Sequence, residues 1–595
     1  MRWLTLASVA SAASMVSAAL SSSSTSSSKT SSSSASAALA PSLTTSLTNT
    51  FITIPLAVPS DDAYYNAQVT DGTGNQMGVR VDLLQPDVWL MNGLDIIDCS
   101  VLVTYLKEHS GASTALSISY SNEEWAASVC HMAGAYTPET VITTTEASTT
   151  STYTLTINVN TAALTSVGYP NGIFAEGVMY YANLSLGTTL NNKVDLTDFR
   201  FILADDSNMY AGGLGLSRHP DNLGLLGTLK QQGRILGSGY SLFLSGYENL
   251  NSTGGELLLG AVNKKYFTGS LYLFPYIPYE GWNTQLGAFA PLPIMALESL
   301  FLENIDTGEQ VTLSSGVPLP LVLDTRLSYS FLPLDYIIDL AIQTNAYYNS
   351  EYRRWIVRCL DITSSNATIH FQFGPLDVSI PLSALIYDAY YGESFLYFTN
   401  GERACFLNVM PDTLLGYSSL GLPFLSHVYL AMDNEAGNVA MAAGNPNVTV
   451  NTLNFDFSQS ASTFASYSAS QAANATNATA GTTIAYIQSG FIPFATSVNY
   501  TSDNSYTMTF FSANSSNAQT IPTRFTMATI QSGEVYLTGG DASTVSGPMA
   551  SASAANAHTL KSEGLSVKSY FVSREASIIP YVLLLTGTVM ALMIV

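Results

Sequence analysis

The chain has 595 residues, and its formal net charge of −23 argues against binding nucleic acids or anionic lipids through a basic surface. Only 11% of the residues are charged, whereas Ser, Thr, Tyr and Gly are abundant, which is typical of an extracellular protein rich in β-structure. The length is sufficient for several domains or for one large bilobal domain with additional segments.

The N-terminus predicts entry into the secretory pathway. Met1 and Arg2 precede an apolar run to Val16, and small residues follow at a plausible cleavage site, so residues 1–18 are predicted to be a signal peptide. Residues 19–50 are rich in Ser and Thr and almost without apolar side chains. We expect this segment to be disordered and O-glycosylated, because it cannot bury a core.

From residue 51 to about residue 442, short runs of aromatic and β-branched residues alternate with Gly, Asn and Asp turns. This pattern predicts an all-β fold, with strands such as Thr152–Val159, Glu256–Val262 and Thr368–Phe373. Helical periodicity is sparse and is restricted to Leu334–Thr344 and Leu223–Gln232. The motif GTGNQMG at Gly72–Gly78 is interpreted as a hairpin turn, because no strand–loop–helix unit for nucleotide binding surrounds it.

Two aspartates interrupt otherwise apolar strands. Asp82 lies in VRVDLLQPDVWL, and Asp324 lies in PLVLDTRLSYSFLP. Taken singly, an aspartate such as Asp82 is most often an ordinary turn residue at a strand end. Each is followed later by an apolar–Gly step, in GGLGLS at Gly212–Ser217 and in SSLGLPFL at Ser418–Leu425, which together indicate an internal duplication.

The cysteines are Cys99, Cys130, Cys359 and Cys405. In an oxidising compartment we expect local disulfides, Cys99–Cys130 and Cys359–Cys405. A metal site is the alternative, but the chain has no C-x-x-C motif and its His residues are scattered. We therefore predict no metal and no cofactor.

The C-terminal part contains several segments of different composition. Residues 446–480 form a low-complexity loop, residues 496–540 an accessory β-rich segment that includes the strand-like Ser505–Phe511, and residues 541–577 a stalk.

Residues 578–595 are apolar and uncharged. A membrane-spanning helix would usually be followed by basic residues, and none follows here, so a GPI-attachment signal is the better prediction. The candidate attachment residues are Asn556, Ser562, Gly564 and Ser566, of which the last two leave the more usual spacer.

Eight N-x-S/T sequons support a glycosylated secretory product. They are at Asn183, Asn251, Asn366, Asn447, Asn474, Asn477, Asn499 and Asn514.

Together these motifs resemble a pepsin-like aspartic protease, and the anchored, Ser/Thr-flanked layout is most similar to the fungal yapsins. The resemblance also rests on FILADDSNMYAGGLGL, GGELLLGAVNKKYFTGSLYLFP, DVSIPLSAL and LSHVYLAMDNEAGNVAMA, and it extends roughly over residues 51–495. It implies a bilobal all-β fold with a central cleft, with an N-terminal lobe at 51–272 and a C-terminal lobe at 273–495.

By this resemblance Asp82 and Asp324 are the catalytic pair. In the family two such carboxylates share one proton and activate a water molecule against a peptide carbonyl. The other positions that match the family pattern belong to the cleft or its flap: Trp89, Tyr169, Gly172, Thr325 and Ser328.

The immediate surroundings of the pair depart from the family pattern. Leu83, Leu84 and Gln85 replace Thr-Gly-Ser after the first aspartate, and Arg326 and Leu327 replace a glycine and a hydroxyl residue after the second. Leu83 cannot supply a hydroxyl, and side chains at the glycine positions occupy reaction volume. The Arg326 guanidinium would favour two ionised carboxylates over one that shares a proton, or it would point outward.

Two functions follow as expectations. The first is a GPI-anchored aspartic endopeptidase of the secretory pathway or cell wall with weak or lost activity. The second is a catalytically inactive pseudoprotease, a surface glycoprotein that binds peptides or organises the cell wall. We expect polypeptide substrates or peptide ligands as partners, membrane attachment through the anchor, no nucleic acid, and a monomer at the outer face of the plasma membrane or in the cell wall.

Overall fold

The computed structural model describes the chain from residue 51 to residue 537, with gaps. The described residues are 51–58, 64–93, 134–138, 141–142, 155–156, 165–168, 174–187, 193–207, 211–245, 254–280, 291–314, 318–350, 352–391, 394–448, 450, 483–498, 506–511, 521–522, 525 and 528–537. Among them, no helix is long and apolar enough to cross a membrane.

The described residues are mostly β-strands, as the sequence predicts. The strands before residue 281 are β1 (Ile52–Ala57), β2 (Asn66–Asp71), β3 (Gln76–Asp82), β4 (Trp89–Met91), β5 (Val141–Ile142), β6 (Leu155–Thr156), β7 (Thr165–Gly168), β8 (Phe174–Leu186), β9 (Val194–Ser207), β10 (Gly212–Gly215), β11 (Gly239–Leu244), β12 (Gly254–Leu259), β13 (Ala261–Asn263), β14 (Phe267–Pro275) and β15 (Tyr279–Glu280).

The later strands are β16 (Ile294–Leu297), β17 (Ser299–Asn304), β18 (Glu309–Thr312), β19 (Leu319–Leu323), β20 (Ser330–Leu332), β21 (Tyr347–Asn349), β22 (Arg354–Arg358), β23 (Ala367–Phe373), β24 (Leu376–Pro381), β25 (Ile386–Asp388), β26 (Tyr390–Tyr391), β27 (Ser394–Phe395), β28 (Tyr397–Phe398), β29 (Ala404–Leu407), β30 (Val409–Pro411), β31 (Ser419–Leu420), β32 (Val428–Asp433), β33 (Asn438–Gly444), β34 (Ile484–Tyr486), β35 (Ala495–Ser497), β36 (Met508–Thr509), β37 (Ala528–Gln531) and β38 (Glu534–Leu537).

Helices are short and few among the described residues. They are the α-helices α1 (Leu225–Gln231), α2 (Leu334–Thr344), α3 (Cys359–Thr363) and α4 (Leu422–Leu425), with short 3-10 helices at Lys264–Tyr266, Leu382–Leu385 and Asp412–Leu414. Helix α2 has the bounds predicted from its periodicity. It begins after Pro333 and ends at Asn345, which takes the left-handed conformation (φ 51°) that commonly terminates helices.

Burial follows the side-chain alternation of the strands. In β24 the pattern is strict: Leu376, Val378 and Ile380 are buried and the residues between them are exposed, as expected for a strand with one face on the core. The predicted hairpin turn after β2 is also present, because β2 and β3 pair antiparallel across residues 72–75.

A large sheet of fourteen strands runs through the described part of the molecule, in the order β35-β14-β33-β32-β11-β12-β1-β2-β3-β10-β4-β9-β8-β7. The later strands build smaller sheets, of which one, in the order β16-β19-β31-β20-β30, carries the second aspartate. The two aspartate strands therefore belong to different sheets.

The surroundings of the two aspartate strands have the same topology. Strand β3 pairs in parallel with β10, and β10 pairs antiparallel with β4, which lies parallel to β9. In the second copy β19 pairs in parallel with β31, and β31 pairs antiparallel with β20, which lies parallel to β30. This repetition is the structural form of the duplication predicted from the two apolar–Gly steps.

Candidate active site

Asp82 is the last residue of β3 and is buried. Its Oδ1 accepts hydrogen bonds from the backbone N–H groups of Leu84 (2.9 Å) and Gln85 (3.2 Å). These two donors hold the carboxylate inside a tight turn that directly follows the strand. The backbone of the turn therefore contributes directly to the position of this side chain.

Asp324 immediately follows β19 and is also buried. Its Oδ1 accepts a hydrogen bond from the backbone N–H of Arg326 (2.9 Å), two residues further along. This bond matches that from Leu84 to Asp82 in residue spacing and in length. The two aspartates are therefore held by equivalent turns.

The apolar–Gly steps are required by the same turns. A Cβ on Gly215 would collide with the carbonyl oxygen of Asp87, and a Cβ on Gly421 would collide with the carbonyl oxygen of Tyr329. Each of these carbonyls lies five residues after its aspartate. Glycine allows the strand to approach the turn closely, which explains why both steps contain it.

One contact joins the two aspartate turns. The Thr325 hydroxyl donates a hydrogen bond of 2.7 Å to the carbonyl oxygen of Val81, which precedes Asp82. The equivalent residue of the first turn is Leu83, which is buried and has no hydroxyl to return the contact. Only one of the two hydroxyls implied by the family resemblance is therefore present.

Arg326 points inward, not outward, and lies between the carboxylates. Its Nε is 2.9 Å from Asp324 Oδ1, and its Nη2 is 2.5 Å from Asp324 Oδ2, so the pair is bidentate. The same Nε lies 3.7 Å from Asp82 Oδ1. Only 1% of the Arg326 side chain is exposed, so this cluster of two carboxyl groups and one guanidinium is removed from water.

Tyr417 completes the cluster and was not identified from the sequence. Its hydroxyl donates to Asp324 Oδ2 (3.2 Å) and lies 3.4 Å from Arg326 Nη2. Burial raises the pKa of Tyr417 well above its ordinary value, and the Asp324 charge raises it further, so the hydroxyl keeps its proton. The residue directly precedes the second apolar–Gly step, but nothing in its type or spacing distinguishes it from a core aromatic.

The remaining cleft and flap predictions have different outcomes. Trp89 is buried at the start of β4, where its indole lies so close to Gly213 that a Cβ there would collide with it. Ser328 is buried in the second turn. Tyr169 and Gly172 lie outside the described residues.

Cys359 and Cys405 form a disulfide with Cα atoms 5.1 Å apart. Asp388 lies nearby, with its Oδ1 3.8 Å from Cys405 Sγ. Because both sulfurs are bonded to each other, this group does not offer the thiolates that a metal site would need. Cys99 and Cys130 lie outside the described residues.

Three sequon asparagines fall within the described residues, Asn183, Asn366 and Asn447, and all three are exposed. The other predicted glycosylation sites (Asn251, Asn474, Asn477, Asn499 and Asn514) lie outside the described residues, as do the anchor candidates Asn556, Ser562, Gly564 and Ser566.

Two duplicated β units that each deliver one buried aspartate to a shared centre define the class of pepsin-like aspartic proteases. Comparison with known proteins agrees, because the family model of eukaryotic aspartyl proteases matches residues 64–444. The chain therefore belongs to this family.

Several fungal proteins are similar to this chain. The chain is similar to aspartic proteinase yapsin-7 of Saccharomyces cerevisiae, with 30% identity over 363 residues and 57% of each chain covered. It is also similar to aspartic proteinase MKC7 of the same yeast, with 26% identity over 435 residues, 65% of this chain and 66% of the relative. Aspartic proteinase 3 of the same yeast is 25% identical over 306 residues, which cover 48% of this chain and 48% of the relative. The match thus spans about half to two thirds of the length of these relatives.

Proposed function

We propose that this protein is a secretory-pathway, GPI-anchored member of the aspartic-type endopeptidase family in which peptide-bond hydrolysis is weak or lost. The observation that carries the proposal is the bidentate pair between Arg326 and Asp324. The frame that brings the two aspartates together is retained, but the group between them is a guanidinium.

The electrostatic argument compares Arg326 with the proton of a working pair. Two adjacent carboxylates do not both ionise cheaply, so in an active site one holds a proton that acts as the general acid. The net charge is then −1. With Arg326 between them, both carboxylates can ionise and the net charge is again −1, so the guanidinium supplies the positive charge that the shared proton would supply. Unlike that shared proton, the protons of the guanidinium are not transferred to substrate at any working pH.

The steric argument points the same way. The family needs room for a water molecule and a peptide carbonyl next to both carboxylates, and glycines normally leave that room. Here Leu84 and Arg326 stand at those positions, and both side chains are buried. Leu83, also buried, replaces the residue whose hydroxyl would return the Thr325 contact from the first turn to the second.

The test is acid-pH proteolysis. The purified glycosylated protein is incubated with an unfolded protein substrate across acidic pH, with and without an aspartic-protease inhibitor, beside an Asp82→Asn variant. We expect cleavage no faster than that of the variant. Rapid, inhibitor-sensitive cleavage that disappears in Asp82→Asn would show that the site works with leucine and arginine in place.

A gain-of-function variant provides the positive control. Arg326→Gly alone should restore little, because Leu83 and Leu84 still crowd the first turn. The combination of Leu83→Thr, Leu84→Gly, Gln85→Ser and Arg326→Gly should gain cleavage at acidic pH.

A second candidate function is binding of extended polypeptides without cleavage, as a surface pseudoprotease with a role in the cell wall. It is favoured by one observation: β15 forms a two-residue parallel pair with residues 508–509, so this strand pairs through its main chain with an extended segment. Retention of an unfolded protein by the immobilised chain, without cleavage, would support it.

The anchor rests on the apolar, uncharged residues 578–595 behind a polar spacer with small attachment candidates. Phosphatidylinositol-specific phospholipase should release the protein from membranes, and light scattering of the released protein should give the mass of a monomer. Resistance to the enzyme, together with detection of residues 578–595 in the mature protein, would favour a spanning helix.

A further inference from the structure

The chain beyond the family match packs back onto the matched residues at several places. Strand β34 pairs with β13, β35 extends the large sheet beside β14, β36 pairs with β15, and β38 pairs with β28. Side chains from this segment are buried in the same hydrophobic clusters as the family domain: Ile487 and Ile492 in one, Met508, Phe510 and Phe525 in the main core, and Ala528, Ile530 and Val535 in a third. The segment is therefore part of the folded protein.

One piece of it, Tyr506–Phe511, is named the strap here. The strap lies along β15 as an added parallel strand. The Met508 N–H donates to the Pro278 carbonyl and the Phe510 N–H to the Glu280 carbonyl, both at 2.9 Å. The next residue continues the contact on another element, because the Phe511 N–H donates to the Gly416 carbonyl at 3.0 Å.

Phe510 anchors the strap in an aromatic pocket. Its ring packs edge-on against Tyr279, with ring centroids 5.6 Å apart, and lies against Tyr417 at 5.1 Å. Only 8% of Phe510 is exposed. Tyr417 is the residue whose hydroxyl donates to Asp324, so a single ring separates the anchor from the candidate active site.

We infer that the edge of β15, with the pocket formed by Tyr279 and Tyr417, is a binding site for an extended polypeptide that carries an aromatic residue. The strap of the same chain occupies this site in cis. Main-chain hydrogen bonds to a strand bind any extended segment, while a side-chain pocket selects the residue, and both parts are present here. This inference deepens the proposed polypeptide binding and rests on it, but it does not require cleavage.

Occupation in cis has a measurable consequence. A tethered segment reaches an effective concentration on the order of millimolar, so a free peptide at micromolar concentration competes poorly with it. The apparent affinity for an external peptide falls in proportion to the fraction of molecules with an open site. Loss of the anchor ring should raise that fraction, while the pocket itself stays unchanged.

The experiment compares Phe510→Ala with the wild type and with Phe491→Ala, which removes a ring that is 57% exposed and lies outside the strap. The probe is a labelled synthetic peptide with the sequence of residues 504–513, and the control peptide carries alanine at the position of Phe510. Binding is measured by fluorescence anisotropy on the full glycosylated protein. We expect Phe510→Ala to bind the probe at least about tenfold more tightly than the wild type and Phe491→Ala do, and to bind the control peptide weakly.

If Phe510→Ala does not fold, Phe510→Leu serves instead, since it keeps a buried apolar side chain but loses the ring contacts. Its affinity for the probe should also exceed that of the wild type.

Equal binding of the probe by all the variants, or no binding by a folded Phe510 variant, would overturn the inference. If such a variant fails to bind the probe while the wild type still retains unfolded protein, only the strap assignment fails. If nothing is retained in either assay, the proposed polypeptide binding fails as well.

Discussion

The turn after Asp82 and the turn after Asp324 share a backbone and differ in chemistry. In both turns the residue two positions after the aspartate donates its N–H to the carboxylate at 2.9 Å. In both, the glycine of an apolar–Gly step packs closely against the turn. The side chain at that position is Leu84 in one turn and Arg326 in the other. At this position the first turn is therefore apolar, whereas the second carries one partner of an ion pair.

This difference indicates which constraints belong to the fold and which belong to the reaction. The glycines and the backbone hydrogen bonds are needed to close each turn, so they are present in both copies. Room and hydroxyls beside the carboxylates are needed only for proton transfer and substrate. Those features are missing in the first turn, and the second keeps only the Thr325 hydroxyl, which also bonds to Val81.

Arg326 also shows how the fold stabilises a buried pair of acidic residues with a cation. Burying two carboxylates without compensation is expensive, whereas a bidentate guanidinium satisfies one of them and lies within ion-pair distance of the other. Loss of either partner leaves an uncompensated buried charge, so the arginine and the aspartates depend on each other for stability.

The largest loss of stability is expected at the two glycines that pack against the turns, a feature that both turns share. Gly215→Ala and Gly421→Ala should each cost more than about 4 kcal/mol of unfolding free energy, because the new Cβ would collide with a backbone carbonyl that cannot move without opening the turn. Yield and urea unfolding measure this. Gly72→Ala, whose Cβ would lie 3.8 Å from its nearest neighbour, should change stability by less than about 0.5 kcal/mol. A well-folded variant at either step would refute the close-packing argument.

The next effect separates the two turns by the cause of the stability loss. Arg326→Ala should cost about 3–5 kcal/mol of unfolding free energy, because two buried carboxyl groups lose the cation that lies between them. Leu84→Ala at the equivalent position should cost about 2–5 kcal/mol through cavity formation. Urea unfolding at pH 7 measures each difference from the wild type, and a loss for Arg326→Ala of less than about 1 kcal/mol would contradict the ion-pair account.

A smaller effect concerns the contact between the turns. Thr325→Val should cost about 1–3 kcal/mol, because the Val81 carbonyl loses its buried donor while the shape of the side chain is kept. Thr325→Ser keeps the hydroxyl and should recover most of that loss. If the valine and serine variants unfold at the same denaturant concentration, the hydroxyl contributes nothing measurable to the junction.

The smallest change in stability is expected for a surface ion pair between two elements that are distant along the chain. Lys230 of α1 pairs with Glu435 in the turn between β32 and β33. Burial opposes ionisation of Glu435, but hydrogen bonds from Lys230, Ser489 and Ser238 outweigh it and lower its pKa from 4.5 to about 2. The resulting stability is fully present above about pH 4.5 and is lost as the pH falls through about 2.

Glu435→Gln should therefore cost about 1 kcal/mol at pH 7, since the pair is partly screened by solvent, and much less near pH 2. Thermal unfolding at the two pH values measures the difference. A cost that grows as the pH falls would have the wrong sign for a carboxylate with a lowered pKa.

Several features could be predicted from residue pattern. The apolar strands ending in Asp82 and Asp324, the glycine steps and helix α2 carry local signals, namely hydrophobic alternation, required glycines and helical periodicity, and the structure has them where the sequence places them. The family follows from the same motifs in order along the chain. The pairing of Cys359 with Cys405 was also predicted, since nearby cysteines in an oxidising compartment have few partners.

Other features had no local signal. The sequence left the direction of Arg326 open, because it depends on a carboxylate held in another sheet and on the hydroxyl of Tyr417, 91 residues away. The strand-like pattern of Ser505–Phe511 was visible, but among its described residues, 506–511, only Met508 and Thr509 pair as a strand, since the partner strand decides how much of the segment is paired. The sequence by itself thus determined the family, the paired aspartates and the loss of the motif residues. Only the tertiary structure decided that the arginine lies between the carboxylates and that the single ring of Tyr417 separates the strap from the candidate active site. Both depend on contacts between segments distant along the chain.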